Sequence, residues 1–170
     1  GKHIPAVPSR ALLMMRALGE KVAASCPSAR LVIGFAETAT AIGAVVAKSL
    51  ADTCIYLQTT REKPAGVTRW IEFLEEHSHA PEQRLAADAL EAYLAETDTV
   101  VFVDDELSTG RTLANIIGQM KAALPALGEK TLVAASIINR LTAEDKARLQ
   151  ALGVACVALV ELAGGDYEAQ

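Results

Sequence analysis

Five short apolar runs, at 31–36, 54–59, 99–104, 131–138 and 154–160, alternate with stretches whose apolar residues recur at helical spacing. Alternation of this kind is the pattern of βαβ units, because parallel strands need a long crossover and a helix supplies it. The first helical stretch spans 9–24, with Ser9 placed to cap it and Leu12, Met15, Leu18 and Val22 along one face. Thr38 or Thr40 can cap a second helix reaching about residue 51. Leu85, Ala89, Leu90, Tyr93 and Leu94 predict a third, and Leu113, Ile116, Ile117, Met120 and Leu124 a fourth. Thr142 opens a fifth, which Gly153 stops. The expected fold is therefore α/β, a three-layer α/β/α arrangement around a mainly parallel sheet of about five strands.

A chain of 170 residues makes one domain, expected to span 1–170, and can bury roughly 70% of its unfolded surface without a metal or disulfide staple. With 51% hydrophobic and 22% charged residues it is globular and not disordered, and only 4% aromatic residues leave the core to aliphatic side chains. The longest uncharged run, 149–160, falls far short of the roughly 20 residues that span a bilayer, and no signal-peptide pattern is present. A net charge of −5 argues against a nucleic-acid or anionic-lipid partner, though small phosphate ligands need only local donors. Cys26, Cys54 and Cys156 are odd in number and scattered, which suits a reducing, cytoplasmic location and neither a zinc site nor a disulfide framework. The chain begins at Gly1 and not at Met, so a piece excised from something longer is expected, and the GGDYEAQ end reads as a loose tail.

Between 60 and 83 the periodicity breaks. Two prolines, a glycine, five acidic residues, His77 and His79 crowd into this segment, which reads as a long irregular loop, mobile or folded as a small cap. His77 and His79 stand at i, i+2 with no third Cys or His nearby, so they do not make a zinc site.

The chemistry concentrates in 100–113, VVFVDDELSTGRTL. Apolar residues end in two aspartates, a short turn follows, and Thr-Gly-Arg-Thr starts a helix. A turn at Gly110 can aim several backbone N–H groups one way, and the helix behind adds the positive end of its dipole; together they suit a phosphate monoester. Ser108, Thr109 and Thr112 can add hydroxyl donors, and Arg111 lies in the same turn. Asp104 and Asp105 precede this pocket, where carboxylates repel phosphate but accept hydrogen bonds from vicinal hydroxyls. Phosphate at one end and a diol at the other describe a 5-phosphorylated ribose. Adjacent strand residues point to opposite faces, so both acids reach one sugar only if the backbone leaves strand geometry there. A capped turn with solvated acids is the plain alternative, and it leaves a costly acid pair without a ligand.

The run VVFVDDELSTGRT resembles the phosphoribosyl-pyrophosphate motif of type I phosphoribosyltransferases. The resemblance implies a magnesium-dependent enzyme that transfers 5-phosphoribose from phosphoribosyl pyrophosphate to a nitrogenous base. It implies that Asp104 and Asp105 favour the developing positive charge at C1 and touch magnesium through water, and that Ser108–Thr112 hold the 5-phosphate. The family's pyrophosphate loop would be Ala36, Glu37, Thr38 and Ala39, within GFAETATAIG; tight helix–sheet packing explains the same small residues equally well, and the two are compatible. Glu37 is unusual beside pyrophosphate and suits a water of the magnesium shell. The family's mobile lid would be 60–81, with Arg61 and Lys63 closing over pyrophosphate and Arg69 a weaker candidate. For His77 and His79 the roles left open are base recognition, pyrophosphate protonation and folding of the loop. The motifs GFAETATAIG, TTRE, EEHSHAPE and VFVDDELSTGRT together resemble a narrower group, the orotate phosphoribosyltransferase-like proteins of tellurite-resistance and stress gene clusters.

Purine-salvage members usually carry an acid at the position of Ser108, so hypoxanthine and guanine are disfavoured and an orotate-like base is expected. A base-covering hood could come only from the N-terminal thirty residues or from 60–84. Family members are commonly dimers, which makes a homodimer the expected assembly. A rival from another class is a phosphoribosyl-pyrophosphate sensor that keeps the loop and acid pair without catalysis. An aspartyl-nucleophile phosphatase is set aside, because Asp104-x-Glu106-x-Ser108 departs from Asp-x-Asp-x-Thr at two positions and leaves the Thr-Gly-Arg-Thr turn unexplained.

Overall fold

The computed structural model describes residues 9–35, 40–60, 70–74, 81–87 and 89–162. In chain order these form α1 (Ser9–Ser25), β1 (Leu31–Gly34), α2 (Thr40–Leu50), β2 (Ile55–Gln58), β3 (Trp70–Leu74) and β4 (Pro81–Ala86). There follow α3 (Leu90–Ala95), β5 (Thr99–Leu107), α4 (Arg111–Ala123), a 3-10 turn (Pro125–Glu129), β6 (Thr131–Asn139), α5 (Ala143–Ala151) and β7 (Val154–Glu161). The main sheet has the order β2-β1-β5-β6-β7, and each of its pairings is parallel. The expected α/β architecture with a five-stranded sheet is the one observed.

Period-two alternation in the strands splits the core into two layers. Leu31, Ile33, Val100, Phe102 and Leu132 face Leu90 of α3, Ile117 and Met120 of α4, and Leu149 of α5. Their sequence neighbours Val32, Val101, Val103 and Val133 face Leu18 and Val22 of α1 and Val46 of α2. Burial on both faces is why the strands read as continuous apolar runs. Helix α1 lies close to α2 because residue 19 is glycine: an added Cβ would fall 2.8 Å from Cβ of Ser49. Lys21 fixes the same half of α1 by donating to the carbonyl of Ala158 in β7, 2.6 Å away.

Chain order and sheet order disagree at one place. The chain steps outward from β1 to β2, then returns to lay β5 on the other side of β1. The carboxyl ends of β1 and β5 therefore lie side by side at a topological switch point, the crevice where open α/β sheets bind ligands.

Two expectations need correction. Within 60–83 the chain is not wholly irregular: β3 and β4 form an antiparallel pair, with Ile71 opposite Leu85 and Glu72 opposite Arg84. Its warrant is an alternation the prolines and charges obscure, since Ile71 and Phe73 are buried in the α4-side core while Glu72 lies 3.7 Å from Arg84. A two-stranded ribbon is marginal alone, and this one is held by that burial and by the paired backbone hydrogen bonds of Thr60 and Arg84. Leu85 accordingly belongs to β4, and the third helix begins only at Leu90.

The expected cap at Thr142 is present and complete. Its hydroxyl accepts from the N–H of Asp145 at 3.1 Å, and the Asp145 carboxylate accepts from the N–H of Thr142 at 3.1 Å. Thr142→Ala should cost about 1 kcal/mol, lowering Tm by roughly 2–4 °C in a thermal melt.

Candidate functional site

β5 outruns β1. Gly34 pairs with Val103 and the N–H of Phe35 bonds the Val103 carbonyl at 3.3 Å, after which β5 continues to Leu107 beside β6 alone. The two aspartates fall in this overhang. Asp104 is half-buried and Asp105 exposed, yet both border one cavity of about 490 Å³. Strict alternation would put Leu107 on the face of Val101 and Val103, but it packs in the opposite core with Phe102 and Leu113. The strand has changed face between Val103 and Leu107, which is the departure from strand geometry that lets adjacent acids share a site.

Local hydrogen bonds hold the acids. The N–H of Asp105 donates to Oδ1 of Asp104 at 2.8 Å, and the N–H of Glu106 donates to Oδ1 of Asp105 at 2.9 Å. Burial pushes the Asp104 carboxyl up to about 7, helped by a side-chain hydrogen bond to Asp105 and by its charge. Next along, Glu106 accepts from Nε of Arg140 at 2.9 Å. Ser136 pairs with Asp104 across the sheet; it is fully buried and its hydroxyl has no partner among the described residues.

The turn expected to hold phosphate follows at once. Gly110 adopts φ +74° as the cap of α4, a left-handed conformation that side chains resist, and an added Cβ would lie 3.1 Å from Cδ1 of Leu149. Having no side chain, Gly110 cannot cap the helix; the Thr109 hydroxyl accepts from the N–H of Arg111 at 3.3 Å, and the N–H groups of Thr112 and Leu113 remain as donors for an anion. Ser108, Thr109, Arg111 and Thr112 are exposed around the buried Gly110. The turn is braced from α5, where Nη1 of Arg148 donates to the Thr109 carbonyl at 3.3 Å and to Asp145 at 3.1 Å.

Asp104, Asp105, Ser108, Thr109, Gly110, Arg111 and Thr112 are thus brought to one edge of the sheet. Ala36, Glu37, Thr38 and Ala39 lie outside the described residues, between the end of β1 and the start of α2; Arg61, Lys63, Arg69, His77 and His79 are also outside them. Sequence reasoning missed Arg140 and Arg148, which brace the acids and the turn. Arg140 could have been flagged as a charge directly after a buried strand, whereas Arg148 looks like any helix-surface arginine. For magnesium, Asp104 and Asp105 offer the hard oxygens it prefers, and among the described residues no group of three ligands could hold an ion alone. The residues fit an ion carried in on phosphate oxygens and reached through water. No helix among the described residues is long and apolar enough to cross a membrane.

Because burial disfavours the charged form, Asp104 keeps its proton in the folded protein across a range where the unfolded chain, near pH 4, has lost it. The native state then binds more protons, so stability falls as pH rises from about 4 to about 7. Asp104→Asn removes this cost. Thermal melts should show wild type and variant alike near pH 4, with the variant increasingly more stable up to pH 7 and a constant gap above.

No curated protein matches the chain. Among solved structures, adenine phosphoribosyltransferase of Trypanosoma brucei, in complex with AMP, pyrophosphate and ribose-5-phosphate, is 16% identical over 90% of this chain and 66% of its own, with a TM-score of 0.58. The chain thus spans about two thirds of that enzyme's length. Orotate phosphoribosyltransferase of Aeropyrum pernix is 17% identical over 89% of this chain and 71% of its own, with a TM-score of 0.55. A hypothetical protein of Neisseria gonorrhoeae with bound ppGpp is 12% identical over 92% of this chain and 82% of its own, with a TM-score of 0.56. At these identities the likeness is one of fold. The sequence model of the phosphoribosyl transferase family matches residues 1–165, and the chain belongs to that family.

Proposed function

We propose that the protein transfers 5-phosphoribose from phosphoribosyl pyrophosphate to a nitrogenous base. The observation that carries this reading is the pairing, at one sheet edge, of an α4 N-terminus that the left-handed Gly110 leaves without a side-chain cap of its own with two aspartates that share a cavity. A ribose bearing a 5-phosphate presents the complementary groups, an anion at one end and a diol near C1. Family membership and fold support the same substrate.

The reaction breaks the bond from C1 to the pyrophosphate oxygen and forms one from C1 to a base nitrogen, whose proton leaves with pyrophosphate. As C1 becomes electron-poor, the negative potential of Asp104 and Asp105 favours it, while the turn at 108–112 anchors the far phosphate and fixes the ring. Magnesium carried on the diphosphate supplies charge neutralisation when bound, and Asp104 and Asp105 would hold its waters. The lid we infer from the family motif, expected over 60–81, is narrowed by the core-packed strand at 70–74 to the rest of that range, with Arg61 and Lys63 as its cations, and its closure over the pyrophosphate would exclude water from a reactive centre. We also place the chain in the orotate phosphoribosyltransferase-like group of tellurite-resistance and stress gene clusters, on the motifs that resemble it. Ser108, exposed beside the acids, cannot exchange a proton as an acid would, which supports a base other than hypoxanthine or guanine.

A second reading is a ligand sensor, favoured by the bound ppGpp in the Neisseria protein of similar fold. Turnover separates the two. With phosphoribosyl pyrophosphate, magnesium and a panel of bases, pyrophosphate release is expected, and Asp105→Asn should lower kcat on the order of 100-fold. Binding of the sugar without release by any base would leave the sensor.

A further inference from the structure

We propose that the cavity between the N-terminal half of α1 and the acid pair receives the base, and that its lining selects an uncharged heterocycle over an anionic one. This rests on the reading of the protein as a phosphoribosyltransferase and names the substrate class that reading leaves open.

Helix α1 is built in two halves. From Leu18 onward it is anchored: Leu18 and Val22 are fully buried, Gly19 sits against Ser49, and Lys21 holds the Ala158 carbonyl. Before Leu18 it overhangs the sheet edge, with Leu13 64% and Met14 40% exposed and so largely unused by the core. Met14 and Met15 border the cavity from this side, while Ile42, Ile137 and Ile138 close it from α2 and β6. Flat apolar contact of this kind suits a planar ring, and methionine adapts to rings of different outline. The volume, about 490 Å³, lies within the roughly 300–1,000 Å³ of small-molecule sites.

Charge then discriminates. All the ionisable groups lining the cavity among the described residues are carboxylates, those of Asp104, Asp105 and Glu106. Among the described residues, the cation bound to this wall is Arg140, which is spent on Glu106 and is not itself a lining residue. A ring with N–H or amino donors meets acceptors here; a ring carrying a carboxylate meets like charge in a partly desolvated site, which costs specificity more than a missing contact does. The orotate-like base expected from Ser108 is therefore narrowed to a base without the carboxylate.

The test uses two pairs that share a ring: nicotinamide and nicotinate are near-isosteric and differ in charge, while orotate adds to uracil both a charge and the bulk of a carboxylate. Uracil against orotate, and nicotinamide against nicotinate, are compared by pyrophosphate release with phosphoribosyl pyrophosphate and magnesium, and binding of phosphoribosyl pyrophosphate is measured in parallel. We expect the uncharged member of at least one pair to be used with kcat/KM at least 100-fold above its anionic partner. Met14→Arg, which puts a cation at the mouth, should move that ratio toward the anion by at least tenfold. An anionic base used as well as or better than its neutral partner overturns this inference and leaves the transferase reading standing. Release with no base despite tight binding of phosphoribosyl pyrophosphate overturns both, and so does failure of the wild-type protein to bind it.

Discussion

The site depends on a length mismatch between two neighbouring strands. β1 stops at Gly34 while β5 runs on to Leu107, so the last residues of β5 have β6 on one side and no paired strand among the described residues on the other. Backbone groups freed by the missing neighbour must find other partners. Here the aspartates bend back onto the next N–H groups, the strand changes face, and Leu107 drops into the α4-side core. That burial fixes where the turn to α4 begins. The glycine, the exposed hydroxyls and the start of the helix are consequences of it, not independent features.

Placing two carboxylates in such an overhang costs stability, and the fold carries the cost in the raised pKa of Asp104. Nothing in the local packing requires it. Val, Ile or Thr at 104 would suit a strand end beside the buried Ser136 better. A destabilising group held in place by well-packed surroundings is what a binding site for a cation-bearing or electron-poor ligand looks like before the ligand arrives. The braces from Arg140 and Arg148 act on Glu106 and on the Thr109 carbonyl, leaving both aspartates without a cation among the described residues and open toward the cavity.

Much of this was legible in the sequence where a single period ran long enough to be read. The buried strands around Val101 and Val133 announce themselves as continuous apolar runs, and the helix carrying Ile116, Ile117 and Met120 by apolar residues at every third and fourth position. The acid pair and the Gly110 turn were legible because their residue types have few uses at a strand-to-helix junction. The ribbon of Ile71, Phe73 and Leu85 was not. Its strands are short, the segment 75–80 between them carries two histidines and two glutamates, Pro81 opens the second strand, and Leu85 fits helical spacing as well as alternation. The cavity was beyond reach for another reason: Met14 and Ile137 lie far apart in sequence, and nothing local tells which face of α1 overhangs the acids.

The most direct test of the central claim is calorimetric titration of the protein with phosphoribosyl pyrophosphate, with and without magnesium, on wild type and Gly110→Ala. The account predicts saturable, one-to-one binding that requires magnesium and is weakened at least tenfold when the left-handed turn is forced to carry a Cβ. A wild-type protein that stays folded and takes up no phosphoribosyl pyrophosphate in the presence of magnesium would contradict it.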